Sequence, residues 1–261
     1  MKSSYGDTVS VALDGRHVAI VVIDAPPHNF VSVEMIRGLA DAFEALDGEN
    51  DCRAIVLAAT GKSFSAGADL ASDTGVAGNG MGGIGGLYEQ AVRLFMTTTP
   101  VVAAVQGAAV GAGLGLALAA DFRVAGPDAR FSANFVKLGF HPGFGLTATL
   151  PRMIGAQRAE LMFLTGRRIK PDQALDWGLV DEVAPADHLM DAARALAREI
   201  AENAPLAVLA TRKTLRGELA GLVRAATAAE FEQQSILRVT DDFAEGVRAV
   251  NERRPGNFAG R

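Results

Sequence analysis

Cysteine is nearly absent from this sequence, which narrows the classes of protein to which it can belong. The 261 residues contain one cysteine, Cys52, so no disulfide can form within the chain. Cys52 comes just before the apolar run 54–57, and no base flanks it in the sequence. A reactive cysteine needs a neighbouring group that lowers the pKa of its thiol. We therefore interpret Cys52 as a structural thiol rather than a nucleophile.

Clusters of positive charge are also missing. The formal net charge is −5 and no long basic run occurs, which argues against a nucleic-acid partner.

The first residues lack the apolar core of a signal peptide, so we expect a cytoplasmic location. Residues 101–120 are almost entirely apolar and about long enough to cross a bilayer, but they include Gln106 and several glycines. A buried strand, a turn and a buried helix explain this stretch better, and we expect no membrane partner.

Motifs for nucleotides and metals are present only in fragments. Residues 61–63 resemble the end of a phosphate-binding loop, but Val56 stands where that loop requires glycine. Residues 78–83 match G-x-G-x-x-G, yet they follow no predicted strand. The hypothesis of a nucleotide-dependent enzyme would be supported by these glycines alone. The four histidines do not show the spacing of metal ligands, so we predict no metal site. These histidines are His17, His28, His141 and His188.

The order of predicted elements indicates an α/β fold of repeated β-β-α units. Two β-rich runs, 9–13 and 18–22, flank the turn pair Asp14-Gly15 and predict a hairpin. Ser32 is a candidate N-cap for the helix that follows, and residues 54–58 predict a buried strand in a parallel crossover. Further strands are predicted at 101–105 and 122–125, and a later unit at 169–183.

Composition changes twice along the chain. Residues 71–86 are rich in glycine and predict a mobile loop over an active site, followed by a helix at 88–96. After about Asp187 only helices are predicted, at 190–200, 205–215, 222–239 and 243–251. We therefore divide the chain into a core at 1–187 and a C-terminal helical region at 188–261.

Two glycine- and alanine-rich stretches carry the strongest functional signal. Residues 64–70 read FSAGADL and residues 106–115 read QGAAVGAGLG. Each follows a predicted strand and begins a predicted helix with small residues. The first N–H groups of a helix have no partner within it, and the helix dipole favours negative charge there. Two such helix starts facing each other would hold a developing oxyanion, so we predict an enzyme.

These stretches resemble the signatures of the enoyl-CoA hydratase/isomerase (crotonase) superfamily. The resemblance continues over nearly the whole chain and keeps the order of the family. It is carried by residues 64–70, 100–113, 121–125, 150–155, 174–180 and 253–258.

The resemblance implies both a fold and a chemistry. The fold is a crotonase-like spiral of β-β-α units whose C-terminal helices form a homotrimer or a dimer of trimers. The substrate is an acyl-CoA thioester, so coenzyme A is part of the substrate and no separate cofactor is expected. The thioester oxygen accepts hydrogen bonds from the N–H groups of Ala68 and Ala112, and one such donor is typically worth ~10²–10³ in rate.

The resemblance also implies contacts to coenzyme A. It assigns them to the loop after the second strand and to the first signature. In this chain the corresponding residues are His28, Ala66, Asp69 and Leu70. Asp69 has an equally good interpretation as a helix cap.

Both acidic residues of the family's hydratases are absent. Gly115 and Phe135 occupy the two positions where hydratases carry glutamates, and neither can move a proton. Hydration is therefore in doubt. The predicted substitutes are His141, whose side-chain pKa is normally near ~6.5, and Glu89 beside Tyr88. A loop histidine and a solvated first-turn glutamate are the alternatives for these two residues.

The segment around His141 predicts the acyl pocket. By the resemblance, Phe135, Phe140, Pro142 and Gly143 belong to its wall, although ordinary core packing explains the phenylalanines nearly as well. We predict an acyl-CoA enzyme, a lyase or an isomerase, that stabilises an enolate. The alternative is a protein that binds acyl-CoA without turning it over.

Overall fold

A computed structural model describes residues 3–68 and 83–261. Within them lie ten strands, which are β1 (Ser4–Tyr5), β2 (Val9–Leu13), β3 (Val18–Ile23), β4 (Ala54–Ala59), β5 (Val101–Val105), β6 (Ala108–Val110), β7 (Phe122–Ala125), β8 (Arg130–Ser132), β9 (Arg168–Ile169) and β10 (Glu182–Val183). The same part of the chain forms ten α-helices. They are α1 (Val33–Asp47), α2 (Gly83–Met96), α3 (Ala112–Ala119), α4 (Leu146–Ile154), α5 (Ala156–Thr165), α6 (Pro171–Asp176), α7 (Leu189–Ala201), α8 (Pro205–Arg216), α9 (Leu219–Leu237) and α10 (Asp241–Asn251). Short 3₁₀ helices cover Asn134–Leu138 and Ala186–His188.

A seven-stranded sheet forms the centre of the molecule. Its strand order is β1-β2-β3-β4-β5-β7-β10. The first three strands are antiparallel and the others pair in parallel. Strands β4 and β5 are buried on both faces, which explains their continuous apolar sequences. The hairpin predicted around Asp14-Gly15 and the parallel β3–β4 pair are both confirmed.

A second, three-stranded sheet lies beside the first and carries part of the site. Its order is β6-β8-β9, with β6 and β8 parallel and β8 and β9 antiparallel. The apolar stretch 101–120 thus forms two strands and helix α3, and no described helix is long and apolar enough to cross a membrane.

Helix α1 follows directly from its sequence. The Ser32 hydroxyl accepts a hydrogen bond from the Met35 N–H at 3.1 Å, which confirms the predicted cap. Leu39, Phe43 and Leu46 recur at helical spacing and are fully or almost fully buried. The apolar face of α1 packs against α2 and the neighbouring strands.

Two differences from the sequence-based expectations concern glycine and short elements. Helix α2 begins at Gly83, so the end of the glycine-rich stretch, 83–86, is helical rather than loop. The remainder of that predicted mobile loop, 71–82, lies outside the described residues. Strands β6 and β8 and helices α4 and α5 were not predicted; each of the two strands spans three residues, and α4 contains Pro151, which argues against a helix in the sequence.

The four predicted C-terminal helices are confirmed as α7 to α10. Helix α7 packs on one face of the central sheet, with Ala193, Ala197 and Ala201 buried against β3, β4 and β5. Helix α9 packs against α2 and α4. The helical region therefore contacts both the sheet and the elements around the site, and the domain boundary at residue 187 stays a prediction.

Candidate active site

Main-chain hydrogen bonds bring the two small-residue stretches together. The Ser65 N–H donates to the Ala108 carbonyl at 2.8 Å, and the Val110 N–H donates to the Ser65 carbonyl at 3.1 Å. A Cβ on Gly67 would lie 2.7 Å from the Val110 carbonyl oxygen, so only glycine permits this approach. The segment around Ser65 and strand β6 are thus held side by side.

The pairing brings Ala68 and Ala112 to one region of the molecule. Ala112 is the first residue of α3, and the glycine before it, Gly111, has φ 56° and ψ −121°, a conformation open to glycine but not to other residues. Ala68 forms an isolated β-bridge with Val31, in which the Val31 N–H donates a hydrogen bond to the Gly67 carbonyl. Among the described residues, none accepts a hydrogen bond from the N–H of Ala68 or of Ala112.

A cavity of about 200 Å³ connects these two residues. Its wall is mainly apolar and comes from the two signature stretches, α2, the 134–144 region and α9 to α10. The described lining residues include Phe30, Ala66, Gly67, Ala68, Ile84, Leu87, Tyr88, Gly111, Ala112, Asn134, Phe135, Leu138, Phe140, Gly143, Phe144, Gln234, Val247, Val250 and Asn251. Of these, only Tyr88 has an ionisable side chain.

Aromatic rings pack against helix α3 beside the cavity. Gly115 is fully covered, and a Cβ there would lie 2.6 Å from Cδ1 of Phe144. The Phe144 side chain is completely buried. Phe135 lines the cavity, and a Cβ on Gly111 would lie 3.6 Å from its ring. The Phe144 ring therefore fills the volume that a larger side chain at position 115 would need.

Tyr88 is fixed in the cavity wall by a hydrogen-bond network. Its hydroxyl donates to Oε1 of Gln234 at 2.7 Å, and Nε2 of Gln234 donates to the His141 carbonyl at 2.8 Å. Gly143 packs so closely that a Cβ there would collide with the hydroxyl. Burial raises the pKa of Tyr88, and the charge of Glu230 raises it further. The phenol therefore stays protonated at neutral pH.

Glu230 lies on α9 one helical turn before Gln234, and it binds the segment that follows His141. Its carboxylate accepts hydrogen bonds from the N–H groups of Gly145 and Thr147 and from the Thr147 hydroxyl, at 2.6 to 2.9 Å. These groups stand at the N-terminus of α4, so the carboxylate caps that helix. Burial raises the pKa of Glu230. Glu230 and Gln234 together hold residues 141–147 in place.

The structure brings some of the predicted site residues to the cavity. Ala66, Ala68, Ala112, Phe135 and Gly143 line it, as does Phe140. Sequence reasoning missed Phe144 and Gln234, because neither matches a motif and both act through contacts distant in sequence.

Other predicted site residues lie elsewhere. Glu89 is exposed and Pro142 is buried, and neither is a lining residue. The His141 side chain is also not among the described lining residues, and its Nδ1 lies 2.8 Å from the Pro142 carbonyl oxygen. His28 is exposed, and its ring lies 5.1 Å from that of Phe30, which lines the cavity. Asp69 and Leu70 lie outside the described residues.

Comparison with known proteins assigns this arrangement to a family. The sequence model of enoyl-CoA hydratase/isomerase matches residues 14–261, nearly the whole chain. The chain belongs to this family. Its crystal structures include an enoyl-CoA hydratase/isomerase from Pseudoalteromonas atlantica, to which this chain is similar with a TM-score of 0.86 at 30% identity. That match covers 97% of this chain and 100% of the other.

Two relatives of this chain in the family carry different names. The chain is 41% identical over 212 residues to "Probable enoyl-CoA hydratase EchA14" of Mycobacterium tuberculosis, covering 80% of this chain and 82% of the relative. It is 34% identical over 253 residues to carnitinyl-CoA dehydratase of Salmonella paratyphi A, covering 92% and 94%. The predicted superfamily and the α/β fold with C-terminal helices are thus confirmed.

Proposed function

We propose that this family member binds an acyl-CoA thioester with the thioester oxygen between the N–H groups of Ala68 and Ala112. The observation that carries the proposal is that both amides lack an acceptor among the described residues and line one apolar cavity. Hydrogen bonds to charge are strengthened in such a low-dielectric site. The two donors then stabilise the enolate that forms when the α-carbon loses a proton or another group.

Tyr88 is the proposed proton donor to the enolate carbon. It lines the cavity, and its hydroxyl, which donates to Gln234 in the free protein, turns to the enolate carbon in the proposed transfer. In the reverse direction the resulting phenolate takes the α-proton, so the same group carries the proton both ways. Tyr88 fits this role better than Glu89 or His141, because neither of those side chains is among the described lining residues.

Coenzyme A is proposed to lie at the outer end of the cavity. The exposed His28 and the half-buried Ala66 are joined there by a main-chain hydrogen bond of 2.9 Å from the Ala66 N–H to the His28 carbonyl. These residues, with Asp69 and Leu70 of the first signature, are the proposed contacts. No separate cofactor is needed for this chemistry.

A binding function without turnover is the second candidate. It is favoured by the lack of Asp, Glu, His, Lys and Cys among the described lining residues. Such a protein would hold acyl-CoA through the same two amides and release it unchanged. Exchange of the α-protons of the bound thioester distinguishes the two candidates, because exchange requires the enolate.

The test is butyryl-CoA in deuterated buffer at saturating protein, with mass spectrometry of the recovered thioester. We expect deuterium at the α-carbon with the wild-type protein. Tyr88→Phe should slow this exchange by roughly 10²–10⁴ with little change in affinity. Binding without exchange would favour the second candidate. Full exchange in the folded Tyr88→Phe variant would contradict the role of the phenol.

A further inference from the structure

Aromatic residues are concentrated around the cavity. The chain contains 13 Phe, two Tyr and one Trp. Five of these line the cavity, namely Phe30, Tyr88, Phe135, Phe140 and Phe144. They come from three separate parts of the sequence, namely residue 30, residue 88 and the 134–144 region, so no single motif explains why they meet.

The rings begin directly beside the proposed oxyanion donors. The Phe135 ring lies against Gly111, the residue before Ala112, as the 3.6 Å distance from a Gly111 Cβ to its Cζ shows. The Phe144 ring lies against Gly115, one turn further along α3. A group attached close to the thioester carbonyl would therefore be the part of the substrate that meets these rings.

The described part of the cavity is large enough to hold one six-membered ring. Its volume is about 200 Å³, and an apolar cavity of roughly 150 Å³ is sufficient to bind benzene. The cavity has no charged side chain among its described lining residues, and the Tyr88 hydroxyl already donates to Gln234. A carboxylate or an amine on the acyl group would meet no charged partner among these residues.

Aromatic walls favour a flat ring over an alkyl chain of equal size. Ring pairs in offset or edge-to-face contact are stabilised beyond the effect of the buried area alone. A rigid ring also loses less conformational freedom on binding than a flexible chain does.

We propose that the cavity selects an aryl-substituted acyl group whose ring stands next to an enolisable α-carbon. The inference rests on the proposed function, since it assumes that the thioester oxygen lies between the two amides. It adds the chemical class of the acyl group to that function.

Three thioesters with equal numbers of acyl carbons test the inference by calorimetric titration. They are phenylacetyl-CoA, cyclohexylacetyl-CoA and octanoyl-CoA, with free coenzyme A as the reference. We expect phenylacetyl-CoA to bind roughly tenfold more tightly than either of the others. Equal or tighter binding of octanoyl-CoA or cyclohexylacetyl-CoA overturns the inference and leaves the proposed function standing. If none of the three binds better than coenzyme A, both are overturned.

Substitutions in the cavity wall test whether its aromatic rings cause the preference for phenylacetyl-CoA. Phe144→Leu and Phe135→Leu each keep an apolar side chain and remove a ring beside α3. We expect each to reduce the preference for phenylacetyl-CoA over octanoyl-CoA by roughly threefold or more. Phe43→Leu removes an equally buried ring of α1 outside the cavity, and it should leave the preference unchanged. An unchanged preference in both wall variants overturns the inference.

Discussion

Gly115 and Phe144 act as one packing unit in the site. The glycine leaves a space on α3, and the completely buried phenylalanine fills it at 2.6 Å from where a Cβ would stand. A larger side chain at position 115 would collide with the ring, and such overpacking typically costs about 1–3 kcal/mol. A glutamate at that position is incompatible with the present ring position.

Slow hydration of crotonyl-CoA is the first prediction. Each missing acid or base removes roughly 10²–10⁴ in rate, so we expect turnover far below the ~10 s⁻¹ of an ordinary enzyme. The measurement is loss of the enoyl absorbance under saturating substrate. Wild-type turnover of ~10 s⁻¹ or more would contradict the prediction.

A gain of hydration is expected only when the ring is removed as well. In Gly115→Glu with Phe144→Ala, the carboxylate can occupy the volume of the ring. Phe144→Ala alone is the matched control, and it should show no gain.

Removal of the Ala112 N–H is the second prediction. Ala112 stands at the first position of α3, where proline is well tolerated. Ala112→Pro deletes a donor that makes no hydrogen bond to a described residue, so the fold should be retained. We expect α-proton exchange to fall by ~10²–10³.

Ala156→Pro is the control for this variant. Ala156 is the exposed first residue of α5 and also follows a glycine. The control should keep full exchange. If Ala112→Pro does so too, Ala112 is not an oxyanion donor.

Among the helices, α9 and α10 connect distant parts of the chain through single carboxylates. Glu230 of α9 caps α4, and Glu245 of α10 holds the segment after α10. Glu245 accepts hydrogen bonds from Arg248, Arg254 and the Asn257 N–H. These donors, Arg254 foremost, hold the pKa of Glu245 well below its ordinary value of 4.5.

A pH-dependent contribution of Glu245 to stability is the third prediction. Because its pKa is lowered in the folded state, its stabilising effect is complete above about pH 4.5 and is lost as the pH falls further. Glu245→Gln should therefore lower the free energy of unfolding at neutral pH, and the difference from wild type should shrink in acid.

Chemical denaturation at several pH values measures this difference. Glu252→Gln removes an exposed partner of the same Arg254 and should change the stability little. A difference for Glu245→Gln that is constant with pH would show that the effect is not due to ionisation.

For the molecule as a whole, the C-terminal region leaves large apolar side chains uncovered. Its most exposed examples are Leu206, Leu215, Ile236 and Val239, each more than half exposed. Exposed apolar side chains that gather into contiguous patches mark interaction surfaces. Together with the resemblance, they support a homotrimer or a dimer of trimers.

Association in solution is the fourth prediction. Sedimentation velocity at micromolar concentration should give a trimer or a hexamer. Replacing Leu206, Leu215, Ile236 and Val239 in turn with Asp should weaken the assembly in at least one case. Leu164→Asp, at an exposed leucine of α5, is the control and should have no effect. A stable wild-type monomer would refute the prediction.

Local patterns predicted those elements whose information lies within a few residues. The Ser32 cap and the 3.6-residue spacing defined α1, and unbroken apolar runs defined β4 and β5. The second small-residue stretch also predicted the helix start at Ala112. Strands β6 and β8 were missed because three residues carry too little periodicity to separate a strand from a loop.

The sequence by itself determined the family and the start of α3 at Ala112, and it predicted that both glutamates are absent. Only the tertiary structure decided which side chains surround the cavity. Phe144 meets Gly115 across 29 positions, and Tyr88 meets Gln234 across 146. No local periodicity encodes such contacts, because they arise when α2, α3 and α9 pack around one cavity. For the same reason Tyr88, rather than Glu89 beside it, faces the cavity, since the packing of α2 sets which side of that helix is buried.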